Sequence, residues 1–391
     1  MEDKIRVSTR YLGIQIFTLF INPTGWDSIG FSFPFWILYI FIRGSEKGGG
    51  GILRIGKRAI KETRFLLYWL LLNILFAFVY FQEAGAVKLA FYYLVGVSFF
   101  FSILDAKLSK RELSWLLRMY VTMALAASAL LFMQRVQVPT YTNRWTIAIL
   151  GQTKDPNYFS AYLMFPFLIC FYKYIKGNGK AFICSAIIVG AILLTGSRSS
   201  FLALSLGCLV IVVYNLKYVH SFSKIMLMAM IAVLVLFLIM PDDLIIRLID
   251  LKSYNDGSNR LRYNIWTAAA GIWKDHILFG GGQNVVVNYG TDYGAYLHMM
   301  AHNTYLDILA EFGLIGFLLF FSVPVGMLFV SWKQKNIPAM AGIVTTLATS
   351  LVISAQYSQY YWFNMALCYS LLKSNSFQKK AAKEGSICYG K

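Results

Sequence analysis

The chain has few of the charged residues that a soluble protein of its length needs on its surface. Only 14% of its 391 residues are charged, whereas 58% are hydrophobic and 17% are aromatic. A water-soluble fold of this size could not bury so much apolar surface, so the composition excludes a soluble globular protein. It predicts a membrane protein that crosses the bilayer several times.

Cysteine and histidine are also scarce, with five and four residues respectively. Four cysteines lie within apolar runs and Cys388 lies in the terminal tail, so the sequence predicts neither a disulfide nor a cysteine metal site. His298 and His302 are four residues apart, but residues 299–301 contain no ligand and the glutamate of the H-E-x-x-H motif is missing. We therefore predict no metal site.

Acidic residues are half as numerous as basic ones, which gives the chain a formal net charge of +18. The basic residues do not gather in one patch but are concentrated in every second connection between apolar runs. This alternation follows the positive-inside rule and argues against a nucleic-acid-binding surface. Both ends of the chain are basic, so we predict two cytoplasmic termini and an even number of spans.

About twelve segments are apolar enough to be membrane spans, since a spanning helix needs roughly 20 such residues. They are residues 11–21, 29–42, 65–81, 85–104, 113–133, 158–175, 181–194, 201–214, 225–240, 304–330, 337–353 and 361–372. The first two are either tilted spans or a re-entrant hairpin. The predicted fold is a single all-α integral-membrane domain over residues 1–391, with a disordered cytoplasmic tail at 374–391.

One outward-facing connection, residues 241–303, is much longer than the others. Loops of this length are usually functional or disordered, and the aromatic content of this one argues against disorder. Apolar residues recur near helical spacing over residues 260–279, which predicts an amphipathic helix on the bilayer surface. The glycines at 280–282 are predicted to end it and to act as a hinge.

His302 lies at the end of this loop, directly before an apolar run. The positive end of the following helix dipole disfavours imidazolium and keeps the ring neutral near pH 7. A neutral imidazole can accept a proton from a hydroxyl, although a polar cap is the structural alternative. Asn303 is either the N-cap of that helix or a second polar contact for a substrate.

Four further residues have polar groups close to the predicted bilayer surface. Arg198 lies in a short polar break and is either a snorkelling anchor or part of an anion site at the start of the next helix. Arg260, at the start of the amphipathic helix, could bind one pyrophosphate together with Arg198. The alternative for Arg260 and Arg262 is binding of lipid headgroups, and for Arg262 we favour that alternative. Asn157, directly before another span, is a helix cap or a substrate contact.

These residues resemble the O-antigen ligase and polymerase (Wzy-type) superfamily of integral-membrane glycosyltransferases. The resemblance extends over residues 157–317 and rests on Gly196-Ser197-Arg198, on Arg260 with Trp266, and on His302-Asn303 followed by Glu311-Phe312-Gly313-Leu314-Ile315-Gly316. Residues 276–279 lack the proline that is common there in the family. Arg262 leaves the second arginine assignment open by two positions.

The resemblance implies an inverting glycosyltransferase that needs neither metal ion nor cofactor. Its donor would be an oligosaccharide on undecaprenyl pyrophosphate, in the bacterial inner membrane with the active site on the periplasmic side. Arg198 and Arg260 would hold the pyrophosphate, and His302 would be the base that activates an acceptor hydroxyl. We add Arg262, Asn303, Asn157 and Trp266 as candidate substrate contacts.

Within this superfamily we favour a polymerase that joins repeat units into a capsular, exopolysaccharide or O-antigen chain. Its partners would be the lipid-linked oligosaccharide, a glycan acceptor, the bilayer, a chain-length regulator and a flippase. A ligase or a protein O-oligosaccharyltransferase is the alternative. A transporter of the polyprenyl-linked glycan is the alternative from another class, although transporters often have matched interrupted helices in two halves and here the interruptions gather in the second.

Overall fold

The computed structural model describes residues 4–21, 32–46, 57–138, 144–149, 152–215 and 257–388 of the chain. Thirteen α-helices lie within these residues. They are α1 (Val7–Ile21), α2 (Ser32–Glu46), α3 (Lys57–Val79), α4 (Ala86–Ala106), α5 (Lys110–Gln134), α6 (Pro156–Ile175), α7 (Gly179–Leu194), α8 (Arg198–Asn215), α9 (Gly257–Asp275), α10 (Val285–Tyr289), α11 (Thr304–Gln334), α12 (Ile337–Thr349) and α13 (Gln359–Cys388). Short 3-10 turns cover Gly290–Tyr293 and Ala355–Tyr357. Two antiparallel hairpins pair β1 (Val136–Gln137) with β2 (Trp145–Thr146) and β3 (Ala148–Ile149) with β4 (Gln152–Thr153).

Six of the described helices are long and apolar enough to cross a membrane, namely α3, α4, α5, α6, α8 and α11. The apolar helices α7 and α12 are shorter. The prediction of a helical membrane protein is therefore confirmed, but six candidate spans do not establish the predicted total of about twelve. The predicted span at 225–240 and the first part of the long loop, 241–256, lie outside the described residues.

Polar residues before several helices accept hydrogen bonds from the free amide groups of the first turn. At α5, Ser109 and Glu112 form a reciprocal capping box. At α6, the Asp155 carboxylate accepts from the amides of Asn157 and Tyr158. Asp155 is therefore the cap of α6, and the sequence prediction that offered Asn157 for this role was two residues late. A cap of this kind stabilises a helix by about 1 kcal/mol.

The centre of the bundle is built from aromatic side chains of α3, α4 and α11. Trp69 is fully buried, and its ring centroid lies 4.7 Å from that of Tyr93, 5.5 Å from that of Phe312 and 5.0 Å from that of Phe320. All three contacts are edge-to-face, the geometry that the quadrupoles of aromatic rings favour. Because lipid tails are as apolar as these rings, such close packing is what holds membrane helices together.

Helix α11 is interrupted at Gly313, where the backbone has φ 63° and ψ −164°. The predicted glycine hinge, residues 280–282, lies against this interruption. A Cβ atom on Gly280 would be 2.4 Å from the carbonyl carbon of Glu311, and one on Gly313 would be 2.4 Å from that of Leu278. The two backbones therefore touch at a crossing that only glycine permits, and residues 280–282 are a packing contact rather than a free hinge.

Four backbone hydrogen bonds join the two segments at this crossing. They run from Gly281 to Ala310, from Gly282 to Glu311, from Leu314 to Ile277 and from Ile315 to Leu278, with lengths of 2.8, 3.0, 2.8 and 3.1 Å. The interruption of α11 frees amide and carbonyl groups that would otherwise lack partners, and the glycine segment supplies those partners. This explains why an apolar helix can be broken here.

Helix α9 confirms the amphipathic helix predicted for the long loop, although it ends at Asp275, four residues earlier than predicted. Its apolar face includes Ile265, Ala269 and Ile272, which are at most 1% exposed. This face packs against Val285 and Val286 of α10 and against the start of α11. Protein therefore covers this apolar face, and the predicted location of the helix at the bilayer surface stays a prediction.

The final helix, α13, continues to Cys388. It begins at Gln359. The disorder that the lysine-rich composition predicts for residues 374–391 stays a prediction.

Candidate active site

His302 lies in the short connection that leads into α11, in a backbone conformation that is unusual for a residue with a side chain. Its φ is 48°, in the left-handed region. Asn303 next to it is the N-cap of α11, and its side-chain oxygen accepts from the amides of Tyr305 and Leu306 at 3.0 and 3.2 Å. Of the two roles predicted for Asn303, the structure confirms the cap. The cap places the His302 backbone at the amide end of the helix.

Both backbone polar groups of Ala301, the residue before His302, are held by side chains. The Ala301 amide donates to Asp307 Oδ1 at 3.0 Å, and its carbonyl accepts from Trp266 Nε1 at 2.8 Å. The indole N–H of Trp266 thus bonds the connection that contains His302, and the predicted contact of Trp266 with substrate stays a prediction. Two elements, α9 and α11, therefore define the path of the chain immediately before the histidine.

The surroundings of His302 favour the neutral form of its ring. Burial lowers the pKa of the His302 imidazole below its ordinary value, the positive charge of Arg262 lowers it further, and the negative charge of Asp155 opposes both. A neutral imidazole has a nitrogen lone pair that can accept a proton. The same interactions show that the start of α6 and the second turn of α9 lie within electrostatic range of His302.

The two candidate arginines of α9, Arg260 and Arg262, differ in how far their side chains are buried. The side chain of Arg260 is exposed, whereas that of Arg262 is partly buried and acts electrostatically on His302. The sequence left the second arginine open between these two positions. The charge of Arg262 contributes to the lowered pKa of His302. Positions 260 and 262 lie about 200° apart around a helix, so the two side chains leave α9 on different faces.

Arg198 is the first residue of α8 and follows a tight turn that contains Gly196 at φ 59°. Ser197 Oγ donates to Asn157 Oδ1 at 2.8 Å, which fixes this turn against the start of α6. Asn157 is two residues from Asp155, which acts on His302. One set of neighbouring residues therefore links these elements. The turn before Arg198 is bonded to the start of α6, and the cap of α6, Asp155, interacts electrostatically with His302.

Arg144 belongs to this set and was not predicted from the sequence. Its guanidinium is buried, and it donates from Nε to the carbonyl of Thr195 at 2.9 Å and from Nη2 to Asn157 Oδ1 at 2.8 Å. It thus joins the turn before Arg198 to the start of α6. The available signal was an arginine inside a polar segment, 134–157, that is rich in amide side chains but matches no motif.

Lys154 is a second buried basic residue beside the site. Its ammonium lies 3.4 Å from the carbonyl oxygen of Leu19 and 5.5 Å from the ring centroid of Tyr162. Burial lowers the pKa of Lys154 to about 7. This group therefore has less positive charge at neutral pH than a surface lysine.

Glu311, one turn after Asp307 on α11, is a buried acceptor at the glycine crossing. Its carboxylate accepts from the hydroxyls of Tyr93 and Tyr357 at 2.7 and 2.5 Å and from the amide of Asn284 at 3.0 Å. These bonds join α4, α10 and the 3-10 turn before α13 to α11. Glu311 fixes the shape of α11 below the site and has no contact with His302.

The residues of this region include an imidazole with a lowered pKa, that of His302, and the guanidinium groups of Arg262 and Arg198. Such groups can remove a proton from a hydroxyl and hold an anion such as pyrophosphate. Within the described part of the chain, no group of three histidine, cysteine, aspartate or glutamate side chains could hold a metal ion. His298, in particular, is exposed and its Nδ1 lies 2.8 Å from the carbonyl oxygen of Val287.

These features define a helical membrane protein with a polar site where a long loop enters an apolar helix. A family model described as O-antigen ligase matches residues 183–321, a stretch that contains Arg198, Arg260, Arg262 and His302. The resemblance to the O-antigen ligase and polymerase superfamily is thereby confirmed for this stretch. Comparison of the chain with curated proteins gives no match.

Proposed function

We propose that this protein is a glycosyltransferase that transfers a glycan from undecaprenyl pyrophosphate to a sugar hydroxyl on the outer side of the membrane. The observation that most supports this proposal is the partly buried His302, whose pKa is lowered beside Arg262 and which lies within the residues that the O-antigen ligase model matches. Those conditions suit a base that acts next to an anionic leaving group.

In the proposed reaction, the acceptor hydroxyl gives its proton to the imidazole of His302 as its oxygen attacks the anomeric carbon of the donor glycan. A carbon–oxygen bond forms on one face of the sugar while the bond to pyrophosphate breaks on the other, so the configuration inverts. The bonding electrons leave with the pyrophosphate, and the proton passes from His302 to water. The leaving group is already a stable anion and needs no proton donor.

Arg198 and a second arginine are proposed to hold the pyrophosphate. We assign Arg262 as the partner that faces His302, and we keep Arg260, which is exposed, as a contact for the outer part of the lipid-linked substrate. Two guanidinium groups match the charge and the paired oxygens of pyrophosphate. Asn157 acts indirectly in this scheme, because its amide oxygen already accepts from Arg144 and Ser197.

Among the reactions of this class we propose polymerisation, in which the acceptor is the terminal sugar of another lipid-linked repeat unit. The product would be a capsule, exopolysaccharide or O-antigen chain made at the bacterial inner membrane, where a flippase and a chain-length regulator would act with it. Transfer to a lipid core by a ligase is the second candidate, because the matching family model is described as a ligase.

The test is an in vitro reaction with purified protein and lipid-linked repeat units as the only substrate. A polymerase produces a ladder of longer glycans and releases undecaprenyl pyrophosphate, whereas a ligase produces neither without its own acceptor. His302→Ala and Arg198→Ala are expected to reduce the rate by about 10² to 10³-fold each. Normal ladders from either variant would refute the site, and translocation without bond formation would identify a transporter.

A further inference from the structure

We propose that Asp307 is a positioning residue that, together with Trp266, holds His302 in its reactive location by fixing the peptide groups of Ala301. The proposal rests on the proposed function, since it gives His302 the role of base. It goes beyond that function because it assigns a task to a buried carboxylate that does not touch the reacting groups.

The backbone of His302 has a conformation that is unfavourable for a residue with a side chain. A residue with a side chain occupies the left-handed region at an energetic cost, and it stays there only when the surrounding structure determines its backbone. At His302 the φ is 48°. Something must therefore oppose relaxation of this connection, and the bonds to the preceding peptide groups are placed to do so.

Both oxygen atoms of the Asp307 carboxylate accept hydrogen bonds. Besides the Ala301 amide at 3.0 Å, it accepts from Ser354 Oγ at 2.6 Å and from Gln356 Nε2 at 3.1 Å. Asp307 is 2% exposed, so these donors compensate for the loss of water. Oδ2 is held by the segment that precedes α13, and this leaves Oδ1 in a defined direction for Ala301.

Hydrogen bonds hold the connection that contains His302 both before and after the histidine. Trp266 donates to the Ala301 carbonyl at 2.8 Å, and after the histidine the Thr304 amide donates to the Ser350 carbonyl at 2.8 Å. Bonds to the peptide groups on either side leave His302 little freedom to move. A misplacement of about 1 Å in a reacting group can reduce a rate by about 10²-fold.

The experiment measures two properties of the purified full-length chain in lipid nanodiscs. The first is kcat for transfer as a function of pH, with lipid-linked repeat units as substrate. The second is independent of activity: the rate at which diethyl pyrocarbonate modifies His302 at each pH, read by mass spectrometry of the peptide that contains it. The second measurement reports the exposure and protonation of the imidazole directly.

In Asp307→Ala, kcat is expected to fall by about 10²-fold. His302 should react faster with the reagent, and its pH midpoint should rise towards the ordinary histidine value because the ring becomes more exposed to water. Trp266→Phe removes only the indole N–H, and we expect a fall in kcat of about tenfold with the same direction of change in His302. Because the two substitutions lie on different elements, misfolding of one variant leaves the other as a test.

Asp307→Asn is the conservative variant. The introduced amide keeps an oxygen for the Ala301 N–H, and Gln356 can turn its Oε1, which has no partner within the described residues, towards the new NH₂ group. Most of the rate should return. Ile308→Val, at the next residue of α11 and fully buried, is the control for loss of stability and should leave both the pH profile and the His302 reactivity unchanged.

Wild-type kcat together with wild-type His302 reactivity in Asp307→Ala and Trp266→Phe would overturn the positioning role. A different result separates the proposed function from it: if His302→Gln transfers glycan normally, the assigned base is wrong, while the reactivity of His302 in the Asp307 variants still reports whether the carboxylate positions the ring.

Discussion

At the scale of single residues, the site depends on which charges lie near one imidazole. Burial and Arg262 favour the neutral ring, and Asp155 favours the protonated one. Arg262 is only two positions from Arg260, and its charge contributes to the lowered pKa of His302. The side chain of Arg260 is exposed. The distinction leads to a pH experiment with a matched pair of variants.

We predict that the rate of transfer falls as pH decreases through the pKa of His302, because protonation removes the base. Since that pKa is lowered, the acidic limb of kcat should have its midpoint below the ordinary value of about 6.5. Arg262→Gln removes a positive charge that lowers the pKa, so the limb should move to higher pH. Arg260→Gln removes the same charge at an exposed position and should leave the limb in place. A shift in the second variant and none in the first would contradict the electrostatic assignment.

Arg144 gives a second prediction at the residue scale. Arg144→Met removes two hydrogen bonds from a charged donor, to Thr195 and Asn157, which are worth about 1.5–3 kcal/mol each. Both the thermal stability and kcat/KM for the lipid-linked donor should fall, the latter by at least about tenfold, because the turn before Arg198 loses its support. Arg118→Met, at an exposed position on α5, is the control and should change neither quantity much. An unchanged kcat/KM in Arg144→Met would show that the turn holds its shape without the arginine.

At the scale of elements, the distinctive feature is the crossing of the glycine segment and the interrupted helix α11. The helix pattern predicted the two halves of α11 as one continuous apolar run. The interruption at Gly313 depends on a second chain segment, around Leu278. This segment lies so close that a Cβ atom on Gly313 would be 2.4 Å from the carbonyl carbon of Leu278. Through Ala310 and Glu311 the crossing also joins the loop to the helix whose first turn follows His302.

Gly313→Ala is therefore expected to be severely destabilising. The introduced methyl group would lie 2.4 Å from the Leu278 backbone, and the residue would remain at φ 63°. Gly326→Ala, later in the same helix, is the control, since a Cβ there meets no atom within 4 Å. We expect a large loss of folded yield and a lower Tm in the first variant and an equal or higher Tm in the second, because alanine is a better helix former than glycine. Equal melting temperatures would argue against the tight crossing.

At the scale of the whole molecule, the alternation of basic connections predicts the orientation of the protein in the membrane. The long loop with His302 should face outwards, and both termini should face the cytoplasm. Orientation decides which lipid-linked donor can reach the site, since a glycan that has been flipped is available only on the outer side.

Single cysteines introduced into a cysteine-free variant would measure this orientation. Tyr296→Cys lies in the loop at an exposed position and should react with a membrane-impermeant maleimide in intact cells. Lys180→Cys, at an exposed position in the first turn of α7, lies on the side that is predicted to be cytoplasmic and should react only after the cells are opened. The reverse pattern would place His302 in the cytoplasm and contradict the proposed reaction.

The sequence by itself determined the membrane class and nearly all described helices, and it predicted a functional role for the His302 region. These properties follow from local patterns: apolar runs of spanning length, polar residues before helices and short motifs along the chain. The cap formed by Asn303 is equally local, because its partners are two and three residues away.

Only the tertiary structure decided that Arg262 lies within electrostatic range of His302 and that Arg144 bonds to Thr195 and Asn157. It also decided that protein covers the apolar face of α9 and that two glycine-containing segments cross. Each of these depends on residues far apart in sequence, such as Asn157 and Ser197 or Trp266 and Ala301. Helix periodicity defines which face of an element is apolar, but it does not identify the surface that will cover that face. That choice is made by the packing of many elements at once, so it could not be read from any one of them.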